Sequence, residues 1–269
     1  AVDYAGQPCD YDELRAIAQE RGIGLVADAC HSLGASYKEH SVGTLADINV
    51  FSLHPVKAMT TGEGGIITTE SSENARRMRC FRNHGVTSNH YEREQQDSWL
   101  YDMAELGYNY RLSDIQCALG LSQLGGLFGW IERRRAIARR YDGAFASLAG
   151  VAPLAVRSGR QHAYHLYVVR LDRVRLGIDR GRIFNALRAE GIGANVHYLP
   201  VHLHSYYRHR FGTRPGLCPR AENAYEEILS LPIFPGMTDV DVNDVIEAMY
   251  KVVTGYGIDT RTTAAAGTR

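Results

Sequence analysis

The sequence carries no surplus charge of either sign. Its 30 lysines and arginines balance 30 aspartates and glutamates, which gives no electrostatic case for a nucleic-acid partner or an anionic membrane surface. The basic runs Arg133–Arg135 and Arg139–Arg140 read as one solvated helix face. No apolar stretch is long enough to span a bilayer. Cysteine is sparse, five in 269 residues, and no pair has the two-residue spacing of a zinc or redox site. An odd, scattered set fits a reducing cytoplasm. No signal peptide and no initiating methionine open the chain. It starts inside an apolar, strand-like stretch, Ala1-Val2-Asp3-Tyr4, so an N-terminal segment is expected to be missing. No Gly-x-Gly-x-x-Gly follows a strand, which counts against a Rossmann dehydrogenase. No Gly-Lys-Ser/Thr follows the glycine-rich run Thr60–Gly65, which excludes a Walker loop.

What is present is the material of a substantial core. Hydrophobic residues make up 45% of the chain, which argues against disorder. Strand and helix signals alternate at first. Asp10 reads as a helix N-cap with Glu13 completing a capping box, and Gly22 stops that helix after Arg21. Ile23–Ala27 is an apolar run of the kind buried on both faces of a parallel sheet. Ile48–Leu53 and Gly65–Thr69 read as two more buried strands. Ser71–Phe81 looks helical and residues 83–99 look like a loop. Ser113–Gly125 and Gly129–Ala149 follow as helices. After Gly150 the pattern becomes that of a small α+β domain: strands at His165–Leu171 and Asn195–Leu199, helices at Arg180–Glu190, Ala221–Leu229 and Asp239–Val253. The expected organisation is a large domain over residues 1–149, a small one over 150–255, and a disordered Thr/Ala/Gly-rich tail from 256 to 269.

The groups able to do chemistry sit where the buried strands end. Asp28 follows Leu25-Val26-Ala27, Ser52 and His54 end the next strand, and Lys57 lies just beyond. Ligands of open α/β sheets bind outside the carboxyl ends of the strands, so these residues converge on one crevice. A desolvated lysine amine there is able to form a Schiff base. An aspartate at the floor of the site is able to keep a pyridinium nitrogen protonated, and the Ser52 hydroxyl could bond a phosphate oxygen. On position alone, a lysine after a strand is more often a solvated loop residue; a strand-end structural hydroxyl is the alternative for Ser52, and a tight turn the alternative for Thr60–Gly65. The histidine-rich run of His197, His202, His204 and His209 fits no zinc signature, and no metal is expected. A loop lining a ligand pocket is the alternative, where Tyr198, Tyr206 and Tyr207 either stack on a ligand or pack among themselves.

Taken in order, several segments resemble the DegT/DnrJ/EryC1/StrS family of nucleotide-sugar aminotransferases. They are Val26–Ser32, Val50–Lys57, Thr60–Gly65, Arg82-Asn83-His84-Gly85, Gly107–Asp114, His197–His202 and Leu231–Pro235. The resemblance runs from Ala1 to about Thr254. It implies a PLP-dependent transferase of fold type I, with a mostly parallel sheet in the large domain and a smaller α+β C-terminal domain. It implies pyridoxal 5'-phosphate as cofactor, with Lys57 as Schiff-base and proton-transfer residue and Asp28 on the pyridine nitrogen. His31 would sit near the ring hydroxyl, or be a packed loop histidine. Ser52 would lie at the phosphate or next to substrate. Asn109 would reach the phosphate of a neighbouring subunit, implying a homodimer with shared active sites, or merely form a helix-entry turn. Arg111 would contact substrate anions or brace that interface. His197, Tyr198 and Tyr206 would face the substrate. Lys57 argues against the dehydratase branch, in which histidine replaces this lysine. Val2–Gln7 and His54–Lys57 look most like the pseudaminic-acid-pathway subgroup, which implies a UDP-linked 4-keto sugar and L-glutamate as substrates. The family's phosphate-binding Gly-Thr turn and its ring-stacking aromatic do not occur before Ala1. The rival readings are an aminotransferase for another keto-sugar and a catalytically silent relative acting as a binding or regulatory partner.

Overall fold

The computed structural model describes residues 1–88, 90–95 and 97–256, with backbone only for 90–92. The expected disordered tail lies, from residue 257 on, outside the described residues. The chain forms two compact units. One is Ala1–Phe128 with Gly159–His162, and the other is Gly129–Ser158 with the chain from Ala163 onward. The division falls at Phe128 and not near Gly150 because of one long helix, Leu127–Phe145. Its residues Ile137, Tyr141 and Phe145 are fully buried in the core of the second unit. Each such side chain contributes about 1.5–3 kcal/mol through burial.

In the first unit the helix Tyr11–Arg21 precedes the strand Val26–Asp28. Gly22 ends this helix at φ 60°, the left-handed conformation that suits a C-terminal glycine. The anticipated capping box does not form. Asp10 makes no side-chain bond to the helix; its Oδ1 accepts from Arg160 Nη2, and a charged fork outcompetes a backbone amide. Val26–Asp28 pairs in parallel with Ile48–Ser52, which pairs antiparallel with Gly65–Thr68. The sheet is therefore mixed. Nor are its strands buried on both faces: Ala27, Phe51 and Leu53 are buried, while Val26, Ile66 and Ile67 are exposed. A second small sheet joins Ser36–Tyr37 to His40–Ser41 and to Arg160–Gln161, short strands with no periodic signal. The stretch expected to be loop contains a short helix, His90–Gln95. Ser71 caps Ser72–Phe81, and Ser113 forms a capping box with Gln116 at the start of Asp114–Leu124.

The second unit has an antiparallel sheet in the order Val151–Pro153, Tyr167–Leu171, Ile228–Leu231. The helices Arg180–Ala189 and Asp239–Gly255 pack their apolar faces, including Leu187 and Met249, into the same core. Two expectations fail here. Asn195–Leu199 is not a strand; only Asn195 bridges, to Ser230. The helix Pro219–Glu227 stops before Ile228–Leu231, which is the wholly buried strand. Ile228, Leu229 and Leu231 fit either period, and tertiary burial decides. The arginine run is also not a uniformly solvated face. Arg134 is buried, and its Nη1 donates to the carbonyls of Tyr164 (3.1 Å) and Ile233 (2.7 Å). Burial lowers its pKa to about 10. Among the described residues no helix is long and apolar enough to cross a membrane.

Candidate active site

Parallel pairing of Val26–Asp28 with Ile48–Ser52 brings the two carboxyl ends to the same side of the first unit. Asp28 ends one strand and Ser52 the other. The turn after Asp28 is fixed from within. Its Oδ1 accepts from Cys30 N at 3.1 Å, and Ala29 N donates to Val50 O at 2.9 Å. Lys57 lies in the turn beyond the second strand, where its N–H donates to His54 O at 3.0 Å. Its amine is half-buried, and burial lowers its pKa; the nearby Cys30 and Asp28 oppose that shift without cancelling it. The same burial, with Asp28 alongside, pushes the Cys30 thiol up to about 11. Asp28, Cys30 and Lys57 are thus close enough to sense one another's charge. The hydroxyl of Ser52 accepts from His54 N at 3.3 Å, and His54 Nε2 lies 3.7 Å from Glu63 Oε1. His31 is half-buried in the turn that follows Asp28.

That turn hangs on a residue which the sequence reading passed over. Asp3 is fully buried, and its carboxylate accepts from Cys9 N (2.9 Å), Tyr11 Oη (2.9 Å) and Ser32 Oγ (2.6 Å). Its backbone N–H donates to Asp28 O at 3.0 Å. One acid therefore ties the helix Tyr11–Arg21, the strand end carrying Asp28 and the Cys30–Ser32 turn together. A buried carboxylate needs such a donor set to offset its desolvation. The only signal in the sequence was an aspartate inside an apolar stretch.

The Thr60–Gly65 run is a tight turn, and it also forms a seat for the helix Asp114–Leu124. Gly64 has φ +153°, and a Cβ there would lie 2.5 Å from Thr61 Oγ1 and 2.8 Å from Leu112 Cδ2. Only glycine fits. Gln116 Nε2 donates to Glu63 O (3.0 Å) and Gln123 Nε2 to Thr60 O (2.7 Å). Asn109 and Arg111 are exposed on the segment leading into this helix. Asn109 bridges to Asn83, and Arg111 Nη1 donates to Asn83 Oδ1 at 2.6 Å. Gly85 and Gly107 let these backbones approach: a Cβ on Gly85 would sit 1.6 Å from Glu105 O. In the second unit His197 Nδ1 lies 2.8 Å from Ser230 Oγ, and the His197–Tyr198 peptide bond is cis. Tyr198 and Tyr206 are exposed; Tyr206 packs edge-on against Tyr207 and Phe211. His202 pairs with Glu222 at 2.8 Å.

Lys57, with a pKa lowered by burial, and Asp28 thus lie near each other beyond the ends of two parallel strands. The family model of the DegT/DnrJ/EryC1/StrS aminotransferases matches residues 1–250. The chain belongs to that family. The spore coat polysaccharide biosynthesis protein SpsC of Bacillus subtilis is 40% identical over 256 residues, covering 94% of this chain and 66% of SpsC. PseC of Helicobacter pylori, an aminotransferase involved in the biosynthesis of pseudoaminic acid, superposes with a TM-score of 0.87 at 30% identity over 94% of this chain and 66% of PseC. DesV of S. venezuelae, solved in complex with a ketimine intermediate, gives a TM-score of 0.84 at 31% identity, covering 94% of this chain and 64% of DesV. The chain therefore spans just under two thirds of the length of such relatives. The aminotransferases of the family are PLP-dependent, and the fold of this chain is that of its PLP-dependent members.

Proposed function

We propose that this chain provides the lysine side of a PLP-dependent nucleotide-sugar aminotransferase, moving an amino group from L-glutamate to C4 of a UDP-linked 4-keto-6-deoxy-N-acetylhexosamine. The observation that carries the reading is the half-buried Lys57 amine beside Asp28, at the carboxyl ends of two parallel strands. The residues fit the cofactor. Asp28, an acid at a strand end, would hold a protonated ring nitrogen, and the Ser52 hydroxyl would donate to a phosphate oxygen. When bound, the cofactor supplies a ring that withdraws electrons from a carbon losing its proton. The chain's part is to move that proton. Lys57 Nζ, whose pKa burial lowers, takes it from the donor carbon and returns it to the acceptor. His31, beside Asp28, borders the ring. Arg111, His197, Tyr198 and Tyr206 are assigned to the sugar nucleotide. The UDP-linked substrate rests on likeness to PseC and on the Val2–Gln7 and His54–Lys57 motifs. The test is glutamate-dependent amination of a UDP-4-keto sugar set against other nucleotide keto-sugars; failure with all of them would sink the reading. The five free cysteines suit a cytoplasmic setting.

The same reading includes a homodimer in which Asn109 reaches the neighbour's cofactor phosphate. The helix Asp114–Leu124 docks through Gln116, Gly120 and Gln123, and its other faces leave Ile115 (83% exposed), Leu119, Leu121 (71%) and Leu124 uncovered. An apolar patch of this size marks an interface. Ile115→Asp with Leu119→Asp is expected to turn a dimer into a monomer, weakening self-association at least tenfold in sedimentation. An unchanged mass distribution would remove this helix from the interface.

A further inference from the structure

The second unit carries an exposed segment whose two ends are tied to one carboxylate. From His204 to Ala221 every residue but Thr213 is exposed, the helix Ser205–Phe211 included. Such a stretch has little buried apolar surface to hold it in place. Glu222, in the first turn of the helix Pro219–Glu227, supplies the hold. Its Oε1 accepts from His202 Nε2 at 2.8 Å, Gly216 N at 2.9 Å and Cys218 N at 3.1 Å, and its Oε2 accepts from Gly216 N at 2.8 Å. An ionised carboxylate only accepts, so Nε2 of His202 carries a proton. Thr213 Oγ1 adds a bond to His202 O at 2.7 Å. The knot is sheltered, with the His202 and Glu222 side chains 10% and 19% exposed. The Gly216 amide first, and His202 after it, hold the Glu222 carboxyl below the usual carboxylate range. Within the segment, Tyr206, Tyr207 and Phe211 pack against one another, with ring centres 5.6, 5.8 and 6.4 Å apart. The segment is thus a small aromatic body on a strap, and the strap closes at Glu222.

We propose that Glu222 is a positioning residue for the sugar-nucleotide step. By latching the segment 202–218 it fixes where Tyr206 stands before substrate arrives. The role rests on the assignment of Tyr206 to the sugar nucleotide made above; the latch itself is read from the bonds alone. Between Asn195 and Ala221 the sequence has no acid, so the segment offers no second carboxylate to replace this one. A contact side chain on a loose segment must be ordered at binding, and that ordering subtracts from affinity. An interaction equally strong in the ground and transition states shows in KM and leaves kcat alone. The latch therefore acts on KM for the sugar nucleotide. The segment holds none of Asp28, Ser52 or Lys57, so KM for glutamate is expected to stay.

The test joins two measurements on the whole chain. Trypsin reports the latch, through cleavage after Arg208 and Arg210. Glu222→Ala is expected to raise that cleavage at least tenfold. Glu222→Gln keeps one acceptor oxygen and should lie between the alanine variant and the unmodified protein. This graded response separates a freed segment from a chain that fails to fold. Steady-state kinetics report the role. KM for a UDP-4-keto sugar is expected to rise at least tenfold in Glu222→Ala, with kcat and KM for glutamate little changed. Cleavage unchanged in Glu222→Ala would overturn the latch and the proposal with it. Faster cleavage with an unmoved sugar KM, or a loss confined to kcat, would overturn the positioning role. An unmodified protein that aminates no keto-sugar would overturn that role too, and the fault would then lie in the substrate reading, since cleavage would still answer to Glu222.

Discussion

Lys57→Ala is expected to abolish glutamate-dependent amination, lowering turnover by at least ~10³-fold. Acid–base transfer by a positioned side chain supplies about 10²–10⁴-fold on its own, and this substitution also removes the nucleophile. Lys57→Arg should be nearly as poor. A guanidinium stays protonated at any working pH, so it neither attacks a carbonyl nor accepts a proton. Steady-state rates of the two variants beside the unmodified protein check both statements. Residual turnover within tenfold in Lys57→Ala would mean that another group carries the chemistry.

The second large effect is on stability. Asp3→Ala removes three hydrogen bonds to a fully buried carboxylate and leaves Cys9 N and Tyr11 Oη without an acceptor, while Ser32 Oγ keeps only the longer bond to Ala29 O at 3.3 Å. Bonds to charged groups contribute about 1.5–3 kcal/mol, and each orphaned buried donor costs about 1–3 kcal/mol. Since these overlap and the site relaxes, a loss of about 3–5 kcal/mol is expected in urea unfolding. Asp3→Asn keeps an acceptor oxygen and should cost less. Because the Asp3 carboxylate also fixes Ser32 in the turn after Asp28, the Asn variant should bind cofactor more weakly even where it folds. A midpoint unchanged in Asp3→Ala would show that the network does not hold the unit together.

The two variants probe features that differed in how well the sequence exposed them. The placement of Asp28, Ser52 and Lys57 at or just beyond strand ends was legible because strand ends and their following turns are local signals, and parallel pairing brings such ends to one side. Gly64 was legible as a turn residue, but the closeness of Leu112 that makes it obligatory was not, since that is a contact across 48 residues. Asp3 was hidden because its partners come from three separate segments. Ile228–Leu231 was misread as the end of a helix, since its apolar run is too short for period to distinguish strand from helix. Arg134 was misread as solvated because its carbonyl partners, Tyr164 and Ile233, lie 30 and 99 residues away. The exposed face of the first sheet was unexpected for another reason. Apolar runs such as Ile23–Ala27 report the affinity of residues for burial, not whether a covering layer is present.

The most direct test is a single mass measurement. The protein is incubated with PLP, reduced with borohydride and digested, and the adduct is assigned among its three lysines, Lys38, Lys57 and Lys251. Burial lowers the pKa of Lys57, whereas Asp12 raises that of Lys38 through a hydrogen bond. An amine reacts unprotonated, so between neutral pH and the ordinary lysine value of about 10.4 a larger share of Lys57 is reactive. The predicted result is an adduct on Lys57 alone near neutral pH, with Lys38 following only as pH rises. An adduct spread over all three, or found on Lys38 with Lys57 unmodified, would contradict the assignment of Lys57 as the cofactor lysine.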